Sequence, residues 1–305
     1  MIKIAFSGIG GVGGYYGGML AAFYQHSEEV GIYFVSRGKN LETIREKGLE
    51  IHSNEKILKI HPRLATDHPA EIGHVDYLFC TTKSYDLEEN LLQLQPLVAP
   101  HTIIIPLLNG ADITARIRTL LPQQEVWFGC VYIGARLSAP GIITKFTQEE
   151  RLWFGDPQGN REKQDQLLRI LTAADIHAQN PDDIVLKIWK KFFLISVGAT
   201  LTSYYDQSIG QILEIHREDY HRLGQELLRI AKAKGIDLPE DMPDRVIADQ
   251  SKMPYESTTS MHTDFKNGKR TEVESLTGYV VRAGQEYHIP TPVYEMMYEH
   301  LKQRK

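Results

Sequence analysis

The residues best suited to chemistry stand at the start of the chain, where Gly8, Gly10 and Gly13 have GxGxxG spacing. An apolar run from Ile2 to Phe6 precedes them, and a helical pattern rich in small residues follows. The first glycine permits a tight turn, the second lets the backbone approach a pyrophosphate, and the third lets the helix pack on the strand. Because the N-terminal N–H groups of such a helix face the phosphates, the segment predicts a dinucleotide site. The alternative is an ordinary glycine-rich loop.

The end of the second predicted strand, residues 31–38, bears on which dinucleotide binds. Proteins that bind NAD place an Asp or Glu there to hold the ribose 2′-hydroxyl. This chain has Ser36 and Arg37 instead. A guanidinium group suits a 2′-phosphate, and the serine hydroxyl is a second donor. The pattern favours NADPH over NADH, although Arg37 is also compatible with a solvated loop.

Two polar residues follow the next predicted strands of the same sheet. Lys83 lies in CTTKSYD and Asn109 in PLLNGAD, each just beyond an apolar run. Ligands of doubly wound sheets bind outside the carboxyl ends of the strands, so both positions favour a functional role. Asn-Gly is also a common turn pair, which leaves a purely structural interpretation of Asn109 open.

A predicted helix over residues 184–203 has several lysines around a tryptophan. A lysine partly desolvated in a cleft polarises a carbonyl and delivers a proton. Lys191 is one turn from Ile188 and Ile195, on a more apolar side than Lys190. Spacing alone does not separate a catalytic lysine from solvated neighbours. The lysines concerned are Lys187, Lys190 and Lys191.

The segment from Ser260 to Glu274 is unusually polar for one that precedes a helix. Within it, Glu272 follows Thr271. An acidic group at this position is a candidate for the site, or only a first-turn glutamate that favours the helix dipole.

The elements that must position these residues differ between the two halves of the chain. Strand and helix patterns alternate up to about residue 180, which predicts a parallel, doubly wound sheet. Helical periodicity dominates from there on. We therefore predict a Rossmann-type α/β domain over 1–180 and an all-helical domain over 181–305.

Several individual elements follow from the same patterns. We predict a hairpin-like insertion over 49–60, a helix over 86–98, a continued strand over 126–135 and a helix over 209–234. Ser138–Phe146 and Arg151–Phe154 read as a closing antiparallel pair.

The composition is ordinary for a soluble protein, with 305 residues, 42% hydrophobic and 24% charged. The net charge of −5 argues against a nucleic-acid or membrane-surface partner. No run is long enough to span a membrane, and a signal peptide is not expected. Cys80 and Cys130 offer no disulfide framework, and His216 and His221 lack zinc-helix spacing, so no metal is expected. A cytoplasmic location is expected, and a homodimer is compatible with the helical half.

The chain resembles the ketopantoate reductase (2-dehydropantoate 2-reductase) family over its whole length. The matching pieces are GIGGVGGYYGGMLA, TKSYD, LLNG, GARLSAPGII, IWKKF and SMHTDFKNGKRTEVESLTGYVV. The resemblance implies an N-terminal Rossmann domain that binds NADPH and a C-terminal helical domain. It also implies reduction of a 2-oxo acid to a 2-hydroxy acid, most typically 2-dehydropantoate to pantoate in pantothenate biosynthesis.

The resemblance also implies roles for single residues. Lys191 matches the catalytic lysine of a W-x-K pattern, Glu272 the glutamate that orients cofactor and substrate, and Ser260 the serine that contacts the substrate carboxylate. The implied cofactor positions are Gly8, Ile9, Gly10, Gly11, Val12, Gly13, Ser36, Arg37, Lys83, Asn109, Ala135 and Glu272.

Three positions depart from the family pattern. Ile195 and Ala199 stand four and eight residues after the lysine, where the family has asparagines, and Ile209 replaces another asparagine before Gly210. Losing such buried hydrogen-bond partners costs about 1–3 kcal/mol each. The substrate is therefore expected to be 2-dehydropantoate or a different, more apolar 2-oxo acid. The alternative from another class is a non-catalytic NADPH-binding sensor.

Overall fold

The computed structural model describes residues 1–53, 56–148 and 150–304. The chain divides into two compact units. Met1–Leu108 and Ile113–Ile184 form the first unit, and Asn109–Asp112 and Val185–Lys305 form the second. The short segment Asn109–Asp112 thus belongs by its contacts to the second unit, although its neighbours along the chain belong to the first.

The first unit contains the strands and five of the helices found in the described residues. In chain order they are β1 (Ile2–Ser7), α1 (Gly11–Phe23), β2 (Val30–Val35), α2 (Gly38–Lys47), β3 (Leu49–Ser53), β4 (Lys56–Ile60), β5 (Leu64–Thr66), β6 (Tyr77–Cys80), α3 (Leu87–Gln93), β7 (Ile103–Pro106), α4 (Ile113–Leu120), β8 (Glu125–Val126), β9 (Phe128–Tyr132), β10 (Ala135–Ala139), β11 (Ile142–Lys145), β12 (Arg151–Gly155), α5 (Arg161–Ala173) and β13 (Ala178–Gln179).

The six-stranded sheet confirms the doubly wound prediction. Its order is β5-β2-β1-β6-β7-β8, and all neighbouring strands are parallel. In terms of the sheet's own strands this is 3-2-1-4-5-6, the Rossmann order. β1 lies inside the sheet because it pairs with β2 on one side and with β6 on the other. Phe6 of β1 stacks on Phe79 of β6 with ring centroids 4.6 Å apart.

The prediction of one continuous strand over 126–135 is wrong. The segment contributes to three sheets: β8 closes the six-stranded sheet, β9 pairs with β12, and Ala135 opens β10. Trp127, fully buried between β8 and β9, marks the change of sheet. An apolar run has the same pattern in each sheet, so its period could not reveal these exchanges.

The predicted antiparallel pairing of Ser138–Phe146 with Arg151–Phe154 is also wrong. β10 and β11 pair with each other and β11 joins β3, whereas β12 pairs with β9 and β13. The hairpin predicted over 49–60 is present as β3 and β4, with Leu49 opposite Ile60. Asn54 and Glu55, which fall within the predicted range, lie outside the described residues.

The second unit is helical throughout its described elements. These are α6 (Ile184–Tyr205), α7 (Ile209–Ile215), α8 (Arg217–Ala233), α9 (Met242–Gln250), α10 (Ser260–Lys266), α11 (Val273–Glu286) and α12 (Pro292–Leu301). Trp189 and Phe192 of α6 pack edge-on or tilted against Tyr279 of α11 in its core. No helix in the described part of the chain is long and apolar enough to cross a membrane.

Helix boundaries differ from the predictions where single residues intervene. The helix expected over 86–98 is α3 flanked by 3₁₀ turns, because Pro96 lacks the N–H that would continue it. The helix expected over 209–234 is α7 and α8, broken at His216. The His216 ring stacks on Tyr205 with centroids 3.5 Å apart, and its backbone is not helical. α9 and α10 follow the helix predicted over 209–234, in a segment for which periodicity predicted no helix.

Candidate functional site

The glycine loop of the first unit is built by backbone contacts. Gly8 has φ +93°, and a side chain there would meet the backbone of Thr82 and Thr81 at 2.7 and 2.9 Å. Gly13 lies so close to the residue that follows β6 that a Cβ would be 2.2 Å from Thr81 Oγ1. That hydroxyl donates to the carbonyl of Ser7 or Gly8, at 2.8 and 2.7 Å. The loop therefore has its shape because these positions lack side chains.

Gly10 and Gly11 have opposite surroundings. A Cβ at Gly11 would be 2.2 Å from the carbonyl oxygen of Ala135, so the first turn of α1 rests directly on β10. A Cβ at Gly10 would meet no atom within 4 Å. Gly10 is also the N-cap of α1, a helix with no side-chain cap and no acidic residue in its first turn. The helix terminus thus presents backbone N–H groups where an anion is electrostatically favoured.

Asn40 holds this loop in place, and sequence reasoning missed it. Its Nδ2 donates to the carbonyl of Ile9 at 2.9 Å and to Ser36 Oγ at 3.3 Å. Its Oδ1 accepts from the N–H of Gly141 at 2.8 Å. One amide thus ties the loop, the end of β2 and the β10–β11 turn together. The sequence signal is weak, since Asn40 is one polar residue in the first turn of a polar helix.

The end of β2 places Ser36 and Arg37 differently. Ser36 is buried, and its N–H donates to the carbonyl of Thr66 at 3.0 Å. Arg37 is the N-cap of α2, with its side chain 77% exposed. Its guanidinium lies 3.9 Å from Asp86 Oδ2, a long and exposed ion pair that contributes at most about 1 kcal/mol. The charge of Arg37 is therefore accessible to a ligand.

The residues after β6 complete the described surroundings of the loop. Lys83 precedes a 3₁₀ turn, and its carbonyl accepts from the N–H of Asp86 at 3.0 Å. Thr82 Oγ1 is buried and has no hydrogen-bond partner among residues 1–53, 56–148 and 150–304. Sequence reasoning passed over Thr82, whose backbone nitrogen and methyl carbon lie against Gly8. Val12 is half-buried and packs on the core of the same unit.

The second unit brings two predicted site residues together. Lys191 Nζ on α6 donates a hydrogen bond of 2.9 Å to Oδ1 of Asn109, and the pair is partly buried. Ala111, two residues further on, packs against the helical core and anchors this segment to it. Asn109 therefore does more than form an Asn-Gly turn, because it orients the ammonium of one particular lysine.

The three lysines of α6 are alike in burial but differ in partners. Lys187, Lys190 and Lys191 are all half-buried. Of these, Lys191 reaches the Asn109 amide, and its neighbours in the helix, Trp189 and Phe192, are buried in the core. The burial of Trp189 and Phe192 in the core therefore fixes the orientation of α6, and with it the side of the helix on which Lys191 lies.

Glu272 and Ser260 occupy helix starts in the second unit. Glu272 is 3% exposed and is the N-cap of α11, where its carbonyl accepts from the N–H of Leu276 at 3.0 Å. Ser260 is exposed and is the first residue of α10, next to the capping residue Thr259. Their roles toward a ligand stay predictions.

The positions that depart from the family pattern are apolar in their surroundings. Ala199 and Ile209 are buried, and Ile195 is partly buried against the helical core. The neighbouring hydroxyls do not replace the missing amides. Ser196 Oγ donates to the carbonyl of Leu276 at 3.0 Å, so it holds α11 to α6.

Comparison with known proteins identifies the relatives of this architecture. The model of the family described as "Ketopantoate reductase PanE/ApbA" matches residues 4–159, and that of its C-terminal domain matches residues 183–305. The chain belongs to the ketopantoate reductase family. It is an oxidoreductase, and its fold is that of the ketopantoate reductases.

Individual relatives cover nearly the same span. A crystal structure of 2-dehydropantoate 2-reductase from Porphyromonas gingivalis is 40% identical, covers 99% of each chain and superposes with a TM-score of 0.88. The 2-dehydropantoate 2-reductase of Caulobacter vibrioides is 28% identical over 82% of this chain and 84% of its own length. An uncharacterized oxidoreductase of Bacillus subtilis is 26% identical over 99% of this chain and 98% of its own.

Proposed function

We propose that this protein reduces a 2-oxo acid to the 2-hydroxy acid with NADPH, and that 2-dehydropantoate is the first substrate to test. The observation that supports this most is the hydrogen bond from Lys191 Nζ to Asn109 Oδ1, 2.9 Å long, in a chain of the ketopantoate reductase family. It holds an ammonium group in a fixed, partly buried position, which a general acid needs.

Lys191 acts as the proton donor in this proposal. Its ammonium donates a hydrogen bond to the keto oxygen, and so stabilises the negative charge that develops there. It then gives its proton to the alkoxide, which completes the hydroxyl group. NADPH, when bound, supplies the hydride that forms the new C–H bond. Asn109 keeps the ammonium oriented, since its amide oxygen occupies one of the three N–H donors.

The described residues of the first unit fit a dinucleotide. Gly10 has room for close approach, and the start of α1 has neither a carboxylate nor a side-chain cap to compete with phosphate. Thr82, which packs against Gly8, has a hydroxyl without a described partner and is a further donor in this proposal. Gly8, Ile9, Gly10, Gly11, Val12 and Gly13 form the pyrophosphate cradle in this proposal, with Ala135 as its floor.

Arg37 and Ser36 support NADPH as the cofactor. No acidic residue stands at the end of β2 or in the first turn of α2, and Arg37 is exposed there. A 2′-phosphate placed there would accept hydrogen bonds from Arg37 and replace its weak pair with Asp86. Lys83 adds positive charge beyond β6. Glu272 orients cofactor and substrate, and Ser260 contacts the substrate carboxylate, as the family pattern implies.

The test is NADPH oxidation with 2-dehydropantoate and a panel of branched 2-oxo acids. Turnover of 2-dehydropantoate supports the role in pantoate formation. Turnover of another oxo acid alone keeps the mechanism and changes the substrate, as the apolar Ile195, Ala199 and Ile209 favour. Tight NADPH binding with no turnover on the panel contradicts the reductase proposal and favours a sensor.

A further inference from the structure

His262 of α10 is a buried histidine with a hydrogen-bond partner at each ring nitrogen. It is 2% exposed. Its Nδ1 lies 2.5 Å from the hydroxyl oxygen of Thr258, and its Nε2 lies 2.7 Å from Oδ1 of Asp206. Thr258 precedes α10 and Asp206 follows α6, so the imidazole ring links two segments that are far apart in sequence. These three side chains form what we call the histidine bridge.

The charge of Asp206 fixes the direction of both hydrogen bonds. The bond from His262 lowers the pKa of this carboxyl group, and the charges of Arg304 and Lys266 also lower it. The carboxylate is therefore ionised near neutral pH and only accepts, so Nε2 of His262 carries the hydrogen. In the neutral ring Nδ1 then has no hydrogen, and it accepts from the Thr258 hydroxyl. The bridge thus orients the Thr258 side chain.

Further hydrogen bonds hold the same segment to α6 and α7. The hydroxyl oxygens of Thr259 and Thr202 are 2.9 Å apart. The N–H of Ile209, the first residue of α7, donates to the Ser257 carbonyl at 2.7 Å. Residues 257–259 are therefore each held by a hydrogen bond, and the backbone that leads into α10 has little freedom to move.

Ser260 directly follows this segment. It is exposed and is the first residue of α10, whose N-cap Thr259 accepts from the N–H of His262 at 3.3 Å. His262 therefore contacts the start of α10 through its backbone as well as through its ring. A serine side chain has only a few staggered rotamers, so the backbone position decides where the Ser260 hydroxyl can point.

We infer that the histidine bridge fixes the start of α10 so that the Ser260 hydroxyl meets the substrate carboxylate, with His262 as the positioning residue. This inference rests on the proposed function, in which Ser260 makes that contact. The bridge residues themselves do not touch the substrate. A hydroxyl group that is already held in place loses less conformational entropy when the carboxylate binds, which strengthens binding.

A purely structural role of the bridge predicts a different result. If the bridge only stabilised the helical unit, its loss would lower the free energy of unfolding without changing which substrates react. Positioning of Ser260 predicts a loss that is confined to substrates with a carboxylate. Because Lys191 still delivers the proton, the loss should raise KM and leave kcat nearly unchanged.

The test compares 3-methyl-2-oxobutanoate with 3-methyl-2-oxobutanamide, which has a neutral amide in place of the carboxylate. We expect the protein to prefer the acid in kcat/KM by about tenfold or more, because hydrogen bonds to a charged group are stronger. Thr258→Val replaces the hydroxyl with a methyl group and should lower this preference by about fivefold, through the KM of the acid. Thr258→Ser keeps a hydroxyl and should restore the preference.

Thr263→Val is the matched control. Thr263 is an exposed threonine of the same helix, and its hydroxyl donates to the Thr259 carbonyl at 3.0 Å, outside the bridge. This variant should keep the wild-type preference. His262→Gln should lower the preference as Thr258→Val does. Thr258 is exposed, so Thr258→Val tests the inference even where the buried His262→Gln does not fold.

Three results would overturn the inference. They are an equal loss on the acid and the amide in Thr258→Val, an unchanged preference in that variant, and a wild-type protein that does not distinguish the two compounds.

Calorimetric titration of the acid and the amide into the NADP complex covers the case in which neither is reduced. An acid preference that falls in Thr258→Val and returns in Thr258→Ser supports the inference although the proposed reaction has failed. Equal binding of the acid and the amide, or binding of neither, overturns it.

Discussion

The glycine loop and the Lys191–Asn109 pair are built in opposite ways. In the loop, side chains are absent where atoms must come close, and Gly8, Gly11 and Gly13 each lie against backbone or against the side chain of Thr81, the residue after β6. In the helical unit, two side chains from segments far apart in sequence meet at 2.9 Å. A site that depends on the absence of side chains can be recognised from the spacing of glycines in the sequence. A site made by side-chain contact depends on tertiary packing, which spacing does not record.

The largest expected effect concerns the side-chain site. Lys191→Ala removes the proposed acid and should lower kcat by about 10³-fold while NADPH still binds. Lys190→Ala, one residue away on the same helix and equally half-buried, should leave kcat near wild type. Steady-state rates and an NADPH titration check both. Equal rates for wild type and Lys191→Ala would remove this lysine from the mechanism.

The loop is tested by a pair of neighbouring glycines. Gly11→Ala places a Cβ 2.2 Å from the Ala135 carbonyl, which is backbone and cannot yield cheaply. We expect it to lower the free energy of unfolding by about 2 kcal/mol. Gly10→Ala meets no protein atom, so it should change stability by less than about 0.5 kcal/mol yet weaken NADPH binding. Wild-type NADPH affinity in Gly10→Ala would argue against close approach of the cofactor there.

Asn40 is an exception to this difference, because the glycine loop, otherwise shaped by backbone contacts, also depends on the Asn40 side chain. Asn40→Ala leaves the Ile9 carbonyl and the Gly141 N–H without this partner. A loss of about 1–3 kcal/mol in unfolding free energy is expected, together with weaker NADPH binding. Chemical denaturation and cofactor titration measure the two. Unchanged cofactor affinity would show that the loop keeps its shape without Asn40.

Arg37→Ala tests cofactor choice and should act on one dinucleotide. Removing an exposed guanidinium from a 2′-phosphate should weaken NADPH binding by about tenfold and leave NADH binding unchanged. Fluorescence titration with both cofactors supplies its own control. Equal weakening of the two contradicts the 2′-phosphate assignment.

The smallest effect is expected for a carboxylate in the helical unit. The hydrogen bond from His262 Nε2, 2.7 Å long, holds the pKa of Asp206 below its usual 3.8. Since the pKa is lower in the folded state, the stabilisation is present above about pH 4 and is lost as the pH falls through the folded-state pKa.

Asp206→Asn should therefore destabilise by less than about 1 kcal/mol at neutral pH, because Asp206 is largely exposed. It should also flatten the pH dependence of stability below about pH 4. Asparagine tolerates the φ of +55° at this position, so the backbone is preserved. Thermal unfolding between pH 3 and 7 tests this, with the exposed Asp237→Asn as control. A parallel pH profile for wild type and Asp206→Asn would contradict it.

The fold was predictable where local pattern and tertiary role agree. The parallel order around β1 follows from alternation of strands and helices, and the glycine spacing marks the turn into α1. The run 126–135 was not predictable in detail, because it changes sheet twice without a change in its apolar pattern. His216 ends α7 through its stacking on Tyr205, a contact that no local signal contains.

The candidate site divides in the same way. The glycines and Arg37 could be named from spacing, because strand order fixes where the strand ends meet. Asn40 and Thr82 could not, since each is a common polar residue whose importance arises from what surrounds it. From the sequence, only the family pattern distinguished Lys191 from Lys190. The hydrogen bond from Lys191 to Asn109 supplies a physical reason for the distinction.

The segment Asn109–Asp112 has a consequence for recombination between relatives. It belongs by its contacts to the helical unit, yet the chain on either side of it belongs to the other unit. A chimera joined once, near residue 184, would take the lysine from one parent and its amide acceptor from the other. To inherit the donor and the acceptor together, a chimera that exchanges the helical half needs two additional crossovers. One lies on each side of this four-residue segment.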